Sequence, residues 1–466
     1  MNGRIGVARG TALYVGAVLG PGVLVLPALA MHAAGPASLL AWAAMLTVSV
    51  PIAAAFAALG IRYPDAGGVA TFVRQAFGPA AGTVVGWWFV AAVPLGMVAG
   101  ALAGGRYAAT ALGWGPAAAG WIAAGVLGLA YVMNLFGLHV SGRVHLALTG
   151  GLFALLAIVV AVSLPHVAAS RFEPFAPQGL AGIGSAAAVL FVGVCGWEAA
   201  ANLAGEFARP RQQLPVVAAA SLSIVTLLYV GLAICTVGVL GAAGGDTEVP
   251  LLLLLDPFAG PGAMAITALC ALLLTFGAIF TFIAAASRAG AALGRDGALP
   301  RWLAAKGVVG VPRRSLAVQA SAAAAVGVAA LGAPAVVDVD LLMRAFSALV
   351  ASVTLLGLAA AVRLLSSAVI RTGAAAAAVV VGAVAAFGGR LVILPVVVAT
   401  AAWAWHQRHP RPPAPSVPAP RTEPAVGATS KRIQALAGNS RQLHDRLASD
   451  ARNAARTRSR PRVRRS

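Results

Sequence analysis

Apolar runs of membrane-crossing length recur through most of this chain, and they limit its fold more than any other feature. A helix needs roughly 20 apolar residues to cross the hydrocarbon core of a bilayer. Twelve such runs fall near residues 9–31, 37–60, 82–104, 117–137, 145–164, 183–203, 214–241, 260–286, 316–333, 339–362, 372–387 and 390–405. Hydrophobic residues make up 60% of the chain and charged residues only 10%, against about a quarter charged in a soluble domain. Lipid offers backbone amides no partner, so a spanning segment must satisfy them internally, as a helix does. The expectation is an all-α membrane protein with twelve transmembrane helices over residues 1–406, followed by a tail at 407–466.

Lys and Arg orient the spans. With the N-terminus on the cytoplasmic side, fifteen basic residues from Arg4 to Arg371 fall in inner loops. Arg106, Arg171 and Arg390 fall outside, and Arg344 lies within a span. The outer loops hold Glu173, Asp246, Glu248, Asp256, Asp338 and Asp340 instead. This asymmetry predicts a cell (inner) membrane protein with both ends cytoplasmic. The opening MNGRIGVARG and the apolar run after it could also pass for a cleaved signal peptide, although multi-span proteins insert through their own first helix.

Beyond Trp405 the chain carries fourteen basic residues against Glu423, Asp445 and Asp450, a net 14 − 3 = +11 of the formal +20. Residues 410–424, PRPPAPSVPAPRTEP, read as a disordered spacer. Ile433, Leu436, Leu443 and Leu447 share a helical face among basic residues. They suit a short amphipathic helix on the anionic inner leaflet, with simple disorder as the alternative. Nucleic acid is not an expected partner, because the tail has no aromatic residue to stack on bases. Cys195, Cys235 and Cys270 stand far apart in apolar runs, without ligand spacing, and no metal or other cofactor is expected.

Two runs contain what a spanning helix should avoid. GAVLGPGVLVLP, residues 16–27, places Gly20-Pro21-Gly22 at the centre of the first run, where Pro removes a backbone donor and Gly loosens the helix. FVGVCGWEAAANLAGE, residues 191–206, places Gly193 and Gly196 in the sixth. Irregular backbone at membrane depth is tolerated where it is buried in protein or lines a polar cavity. Runs one and six are the first members of two five-span units, and an odd number of spans inverts the second unit. The two breaks can then face each other near the midplane, as in inverted-repeat transporters.

The chemistry of such a site follows from exposed backbone. Past Gly20-Pro21-Gly22, the half-helix from about Val23 presents N–H groups and a positive dipole end, suited to a carboxylate. Where the sixth run unwinds at Val192–Gly196, the preceding half-helix ends in carbonyls suited to an ammonium group. Together they describe the backbone of an α-amino acid. The alternative is that these glycines only permit close helix packing. Glu198 is the one acidic residue placed inside a span. A carboxyl group there is paired or neutral and marks a functional site, so proton coupling is expected of it, the alternative being a permanently protonated group bonded to loose backbone. Arg344 is a candidate partner.

These residues also carry a family likeness. GPGVLVLPA resembles the broken first span of the amino acid–polyamine–organocation superfamily, and FVGVCGWEAAANLAGEFARPRQQLP resembles its sixth span and the loop that follows. YPDAGGVATFVRQAFGP at 63–79 and SRAGAALGRDGALPRWLA at 287–304 resemble two further loops of that superfamily. The likeness covers about residues 5–405 and is strongest to the bacterial methionine and branched-chain amino acid exporters. It implies a LeuT-like 5+5 inverted repeat with two extra helices and with helices 1 and 6 discontinuous. It further implies substrate contacts at Ala17, Gly20, Pro21, Gly22, Val23, Phe191, Val192, Gly193, Val194, Cys195 and Gly196, with Phe280 as a gate. Pro21 stands where relatives often place Ser or Thr, and Val192-Gly193 replaces a bulkier aromatic and polar pair, which favours an aliphatic or thioether substrate. The fifth run has no lysine to serve as a coupling charge. The hydroxyls available for a sodium site are few: Thr275, Thr281 and Thr11.

The function expected is a proton-coupled secondary transporter of neutral apolar amino acids that acts by export. The alternatives are proton-coupled uptake or exchange through the same site and a non-transporting scaffold working through the basic tail. An intramembrane enzyme lacks support, since no span holds a Ser–His pair, a metal cluster or two facing carboxylates.

Overall fold

The computed structural model describes residues 6–63, 68–137, 142–198, 207, 209–305 and 311–409. Residues 64–67 of the first loop likeness, 199–206 and 208 of the sixth run and the loop after it, and the tail at 410–466 lie outside the described residues. Fourteen helices are described. They are α1 (Val7–Leu19), α2 (Leu26–Ala34), α3 (Ser38–Arg62), α4 (Gly68–Phe77), α5 (Pro79–Ala111), α6 (Pro116–Leu135) and α7 (Gly142–Ser163), then α8 (Gly179–Val194), α9 (Pro210–Cys235), α10 (Pro250–Arg295), α11 (Arg313–Gly332), α12 (Val339–Leu364), α13 (Ala368–Ala386) and α14 (Ile393–Arg408). No β-strand occurs among the described residues.

Each of the twelve apolar runs overlaps helix. Nine stretches among the described residues are long and apolar enough to cross a membrane, and three apolar helices are shorter: Val7–Leu19, Gly150–His166 and Gly179–Val194. Two of these end at interruptions, α1 at Gly20 and α8 at Cys195. Proline, whose missing N–H costs nothing in a first turn, opens α5, α6, α9 and α10. Asp338 caps α12, its carboxylate accepting the Leu341 amide at 2.7 Å.

Helix α5 is the centre of the packing and lies against α4, α6, α10, α12 and α14. Its own proline is compensated from a neighbour. Pro94 cannot donate to the carbonyl four residues back, Val90, and the buried Gln319 of α11 supplies the missing hydrogen, Nε2 to O at 3.0 Å. Tyr131 of α6 donates in turn to the Gln319 carbonyl at 3.1 Å. Gln319→Leu should therefore orphan Val90 O and lower stability. The Gln319 Oε1 atom has no partner of its own, so its removal gives some relief, and the net loss should be about 1 kcal/mol. A thermal melt of the detergent-purified variant checks this.

A staple gathers the turn after α10. Asp296 pairs with Arg74 of α4 at 3.3 Å. Trp87 of α5 donates to the Ala298 carbonyl at 2.7 Å, and Trp405 of α14 to that of Gly297 at 3.2 Å.

Candidate functional site

The first break is built from conformations that side chains resist. Helix α1 ends at Leu19, and Gly20 takes φ +43°, ψ −176°, a setting favourable to glycine. Pro21–Leu24 then form one 3₁₀ turn before α2 begins at Leu26. Pro21, with its fixed φ and absent N–H, starts that turn at no cost in hydrogen bonds. The last carbonyls of a helix have no intrahelical partner. Here Tyr229 of α9 places its hydroxyl 3.5 Å from both Val18 O and Leu19 O, while in the first half of α1 Ser221 of α9 donates to Thr11 O at 3.3 Å. On the far side of the turn, Tyr107 of α5 donates to Leu24 O at 2.8 Å and accepts the Leu251 amide at 3.2 Å. Both tyrosines are fully buried, and Tyr229 packs on Trp42 of α3 with ring centres 4.6 Å apart.

The second break follows the same logic. Helix α8 ends at Val194, Cys195 is extended, and Gly196 has φ +118°. The Cys195 thiol donates back to Phe191 O at 2.9 Å. Helix resumes at Trp197. The two breaks meet: a Cβ built on Gly196 would lie 2.6 Å from the Ala17 oxygen and 2.9 Å from Val18 Cα. One on Gly22 would lie 3.3 Å from Val192, and one on Gly193 2.9 Å from Leu26.

Glu198 is buried beside this crossing. Its Oε2 accepts the Gly196 amide at 2.8 Å, so the carboxyl group fixes the break from within its own chain. Its Oε1 is hydrogen-bonded to the hydroxyl of Thr354 on α12. Arg344 is not its partner, being held by Asp340 at 2.7 Å and by Ser185 at 3.1 Å.

A cavity of about 660 Å³, including its opening to solvent, lies at the crossing. Its walls include Ala17, Gly20, Gly22, Val192, Gly193, Cys195, Gly196 and Glu198 among the residues anticipated from sequence. Val23, Phe191 and Val194 are buried but are not among the lining residues, and neither is Phe280. The Phe280 carbonyl instead accepts from Asn134 of α6 at 3.2 Å. Phe282 lines the cavity, because residues two apart on a helix face different ways. The remaining lining comes from Val18 and Leu19 of α1, from Phe89, Gly96 and Met97 of α5 and from Met343, Phe346, Val350 and Val353 of α12. Thus, apart from sulfur atoms, the side chains of the described lining carry one polar group, the Glu198 carboxyl. Of the threonines considered for sodium, Thr281 bonds to its own helix at Gly277 O, 2.9 Å, and the buried Thr275 hydroxyl has no partner.

Broken helices crossing at a buried, mainly apolar cavity describe a membrane carrier. The family model for amino acid permeases matches residues 5–408. The uncharacterized amino acid permease YecA of Bacillus subtilis is 33% identical over 402 residues, 85% of this chain and 93% of its own length. The L-methionine/branched-chain amino acid exporter YjeH of Escherichia coli is 34% identical over 240 residues, covering 51% of this chain and 56% of its own. The branched-chain amino acid permease BcaP of Bacillus subtilis is 27% identical over 264 residues, 52% of this chain and 57% of its own. This chain belongs to the amino acid permease family of the amino acid–polyamine–organocation superfamily, and is a multi-pass membrane transporter rather than an enzyme.

Proposed function

We propose that this protein exports neutral apolar amino acids of the methionine, leucine, isoleucine and valine class across the bacterial inner membrane, exchanging them for protons by alternating access. The reading takes the chain as twelve crossings in a LeuT-like 5+5 arrangement with both ends cytoplasmic, and residues 407–466 as a basic tail facing the anionic leaflet. The observation that carries it is the cavity at the crossing of the two breaks. In this reading the substrate carboxylate sits at the start of the turn at Gly20–Val23, the ammonium group sits at the carbonyls of Val192–Cys195, and the side chain lies among Met97, Met343, Phe346 and Val350. An acidic side chain would find no cation in the described lining. A cationic one would have to compete for a carboxyl already bonded to Gly196 and Thr354. Two relatives whose names specify methionine or branched-chain amino acids favour the same class.

The first test is a thermal-shift screen of the detergent-purified protein against all amino acids. Methionine, leucine, isoleucine and valine should raise the melting temperature, and aspartate and arginine should not, since only a ligand bound to the folded state stabilises it. Stabilisation by charged amino acids alone would reject the class. Cys195 supplies a second check, because it is a lining residue of the cavity. With Cys235 and Cys270 replaced by alanine, alkylation of Cys195 should slow about tenfold at a leucine concentration tenfold above Kd, as only the empty site reacts. Mass spectrometry of the labelled peptide measures it.

A further inference from the structure

We propose that the contact of Phe346 on Gly96 sets the length of the substrate side chain that the cavity accepts. This rests on the amino acid reading above and adds to it the residues that discriminate within the class.

Gly96 lies in the middle of α5, where a glycine is worse than alanine by about 1 kcal/mol. Its φ is not in the left-handed region, so no turn or bend requires it. What it provides is space. A Cβ at this position would lie 2.7 Å from Phe346 Cδ2 and 3.0 Å from both Cε2 and Cγ. The ring of Phe346 therefore rests directly on the backbone of α5. Other glycines of α5 serve helix packing away from the described lining: Gly86 receives Leu293, Gly104 receives Thr275 and Gly105 receives the backbone of Ala119. Gly96 differs because it and Phe346 both line the cavity.

The position of the clash fixes its consequence. Cγ is attached directly to the Phe346 Cβ, so the ring cannot escape a methyl group on residue 96 by moving only its tip. The whole side chain must rotate, and the free volume beside it is the cavity. Alanine at 96 would therefore push an aromatic wall towards the substrate. Removing the ring would withdraw that wall and leave space beside Met97 and Met343, whose flexible thioethers adapt to what enters.

The experiment measures binding of alanine, valine, leucine, methionine and phenylalanine to purified wild type, Gly96→Ala, Phe346→Ala and the double variant. The readout is displacement of labelled leucine. One methylene more or less in an apolar pocket changes affinity roughly tenfold or more. Gly96→Ala should lower the selectivity for methionine over alanine by roughly tenfold. Phe346→Ala should raise the selectivity for phenylalanine over leucine by a similar factor. The double variant should regain methionine relative to Gly96→Ala, because the group displaced by the new methyl is gone. If Gly96→Ala does not fold, Phe346→Ala decides alone. Affinities that change by one common factor across the series, or not at all, would overturn the inference while leaving the transporter reading intact. Failure of wild type to bind any of the five would overturn both.

Discussion

Gly196→Ala should abolish transport. Two independent effects act at this position. The backbone sits at φ +118°, where a side chain costs about 1–3 kcal/mol. The added methyl would also stand 2.6 Å from the Ala17 carbonyl oxygen and 2.8 Å from its carbon. Both obstacles are main-chain atoms of α1, so no rotamer change relieves them. Either the two broken segments separate or the folded state loses roughly 3 kcal/mol or more, a large share of the stability of an ordinary domain. Gly193→Ala makes the informative comparison. There the nearest atom is the end of the flexible Leu26 side chain, at 2.9 Å, so flux should fall less. Uptake of labelled leucine into proteoliposomes, together with the melting temperature of each variant, checks the pair. Wild-type flux in Gly196→Ala would show that this close approach is dispensable.

Glu198→Gln should remove the response to a proton gradient while sparing the fold. Hydrogen counting gives the reason. Thr354 has one hydroxyl hydrogen and two oxygen neighbours, Glu198 Oε1 and, at 3.0 Å, the Val350 carbonyl of its own helix. Threonine in a helix commonly donates to the carbonyl four residues back. Here the hydroxyl donates to Glu198 Oε1, and Val350 O keeps the amide of its own helix as donor. The other oxygen, Oε2, accepts from Gly196. Both carboxyl oxygens thus have a donor in this arrangement. Glutamine keeps both contacts, its carbonyl accepting from Gly196 and its amide donating to Thr354, whose hydroxyl then turns to Val350 O, but it cannot bind or release a proton. Flux in Glu198→Gln should therefore be equal with and without a pH gradient, whereas wild-type flux should follow the gradient. Glu198→Leu should instead leave the Gly196 amide buried without an acceptor, at a cost of about 1–3 kcal/mol. Labelled methionine in proteoliposomes at matched and unmatched pH reads the first effect, and thermal unfolding reads the second. A Glu198→Gln protein still driven by protons would assign the coupling to another group.

The parts of the site written in single residues could be read from sequence. Gly20-Pro21-Gly22 and Gly196 stand out because helix breakers conflict with an apolar run, and Glu198 because a lone acid conflicts with lipid. Partnerships across helices could not be read. Thr354 reaches Glu198 over 156 positions and Tyr229 reaches Val18 over 211, and neither residue carries a local pattern that names its partner. Helix phase was equally hidden. Helix α10 is apolar around much of its circumference, so its sequence does not say which of Phe280 and Phe282 turns to the cavity. For the same reason the contributions of Phe89 and Met97 emerge only from packing, whereas the pair of Asp340 and Arg344, four residues apart on α12, follows ordinary helix spacing and was open to sequence reading.

The two tyrosines give the first crossing a mechanical property. Tyr229 grips the end of α1 from α9, and Tyr107 grips Leu24 from α5. The crossing is therefore fastened at two points to two different neighbours, with Gly20 between them. Torque applied to α9 reaches one segment, while the other stays bolted to α5, so the crossing behaves as a jointed linkage rather than a rod.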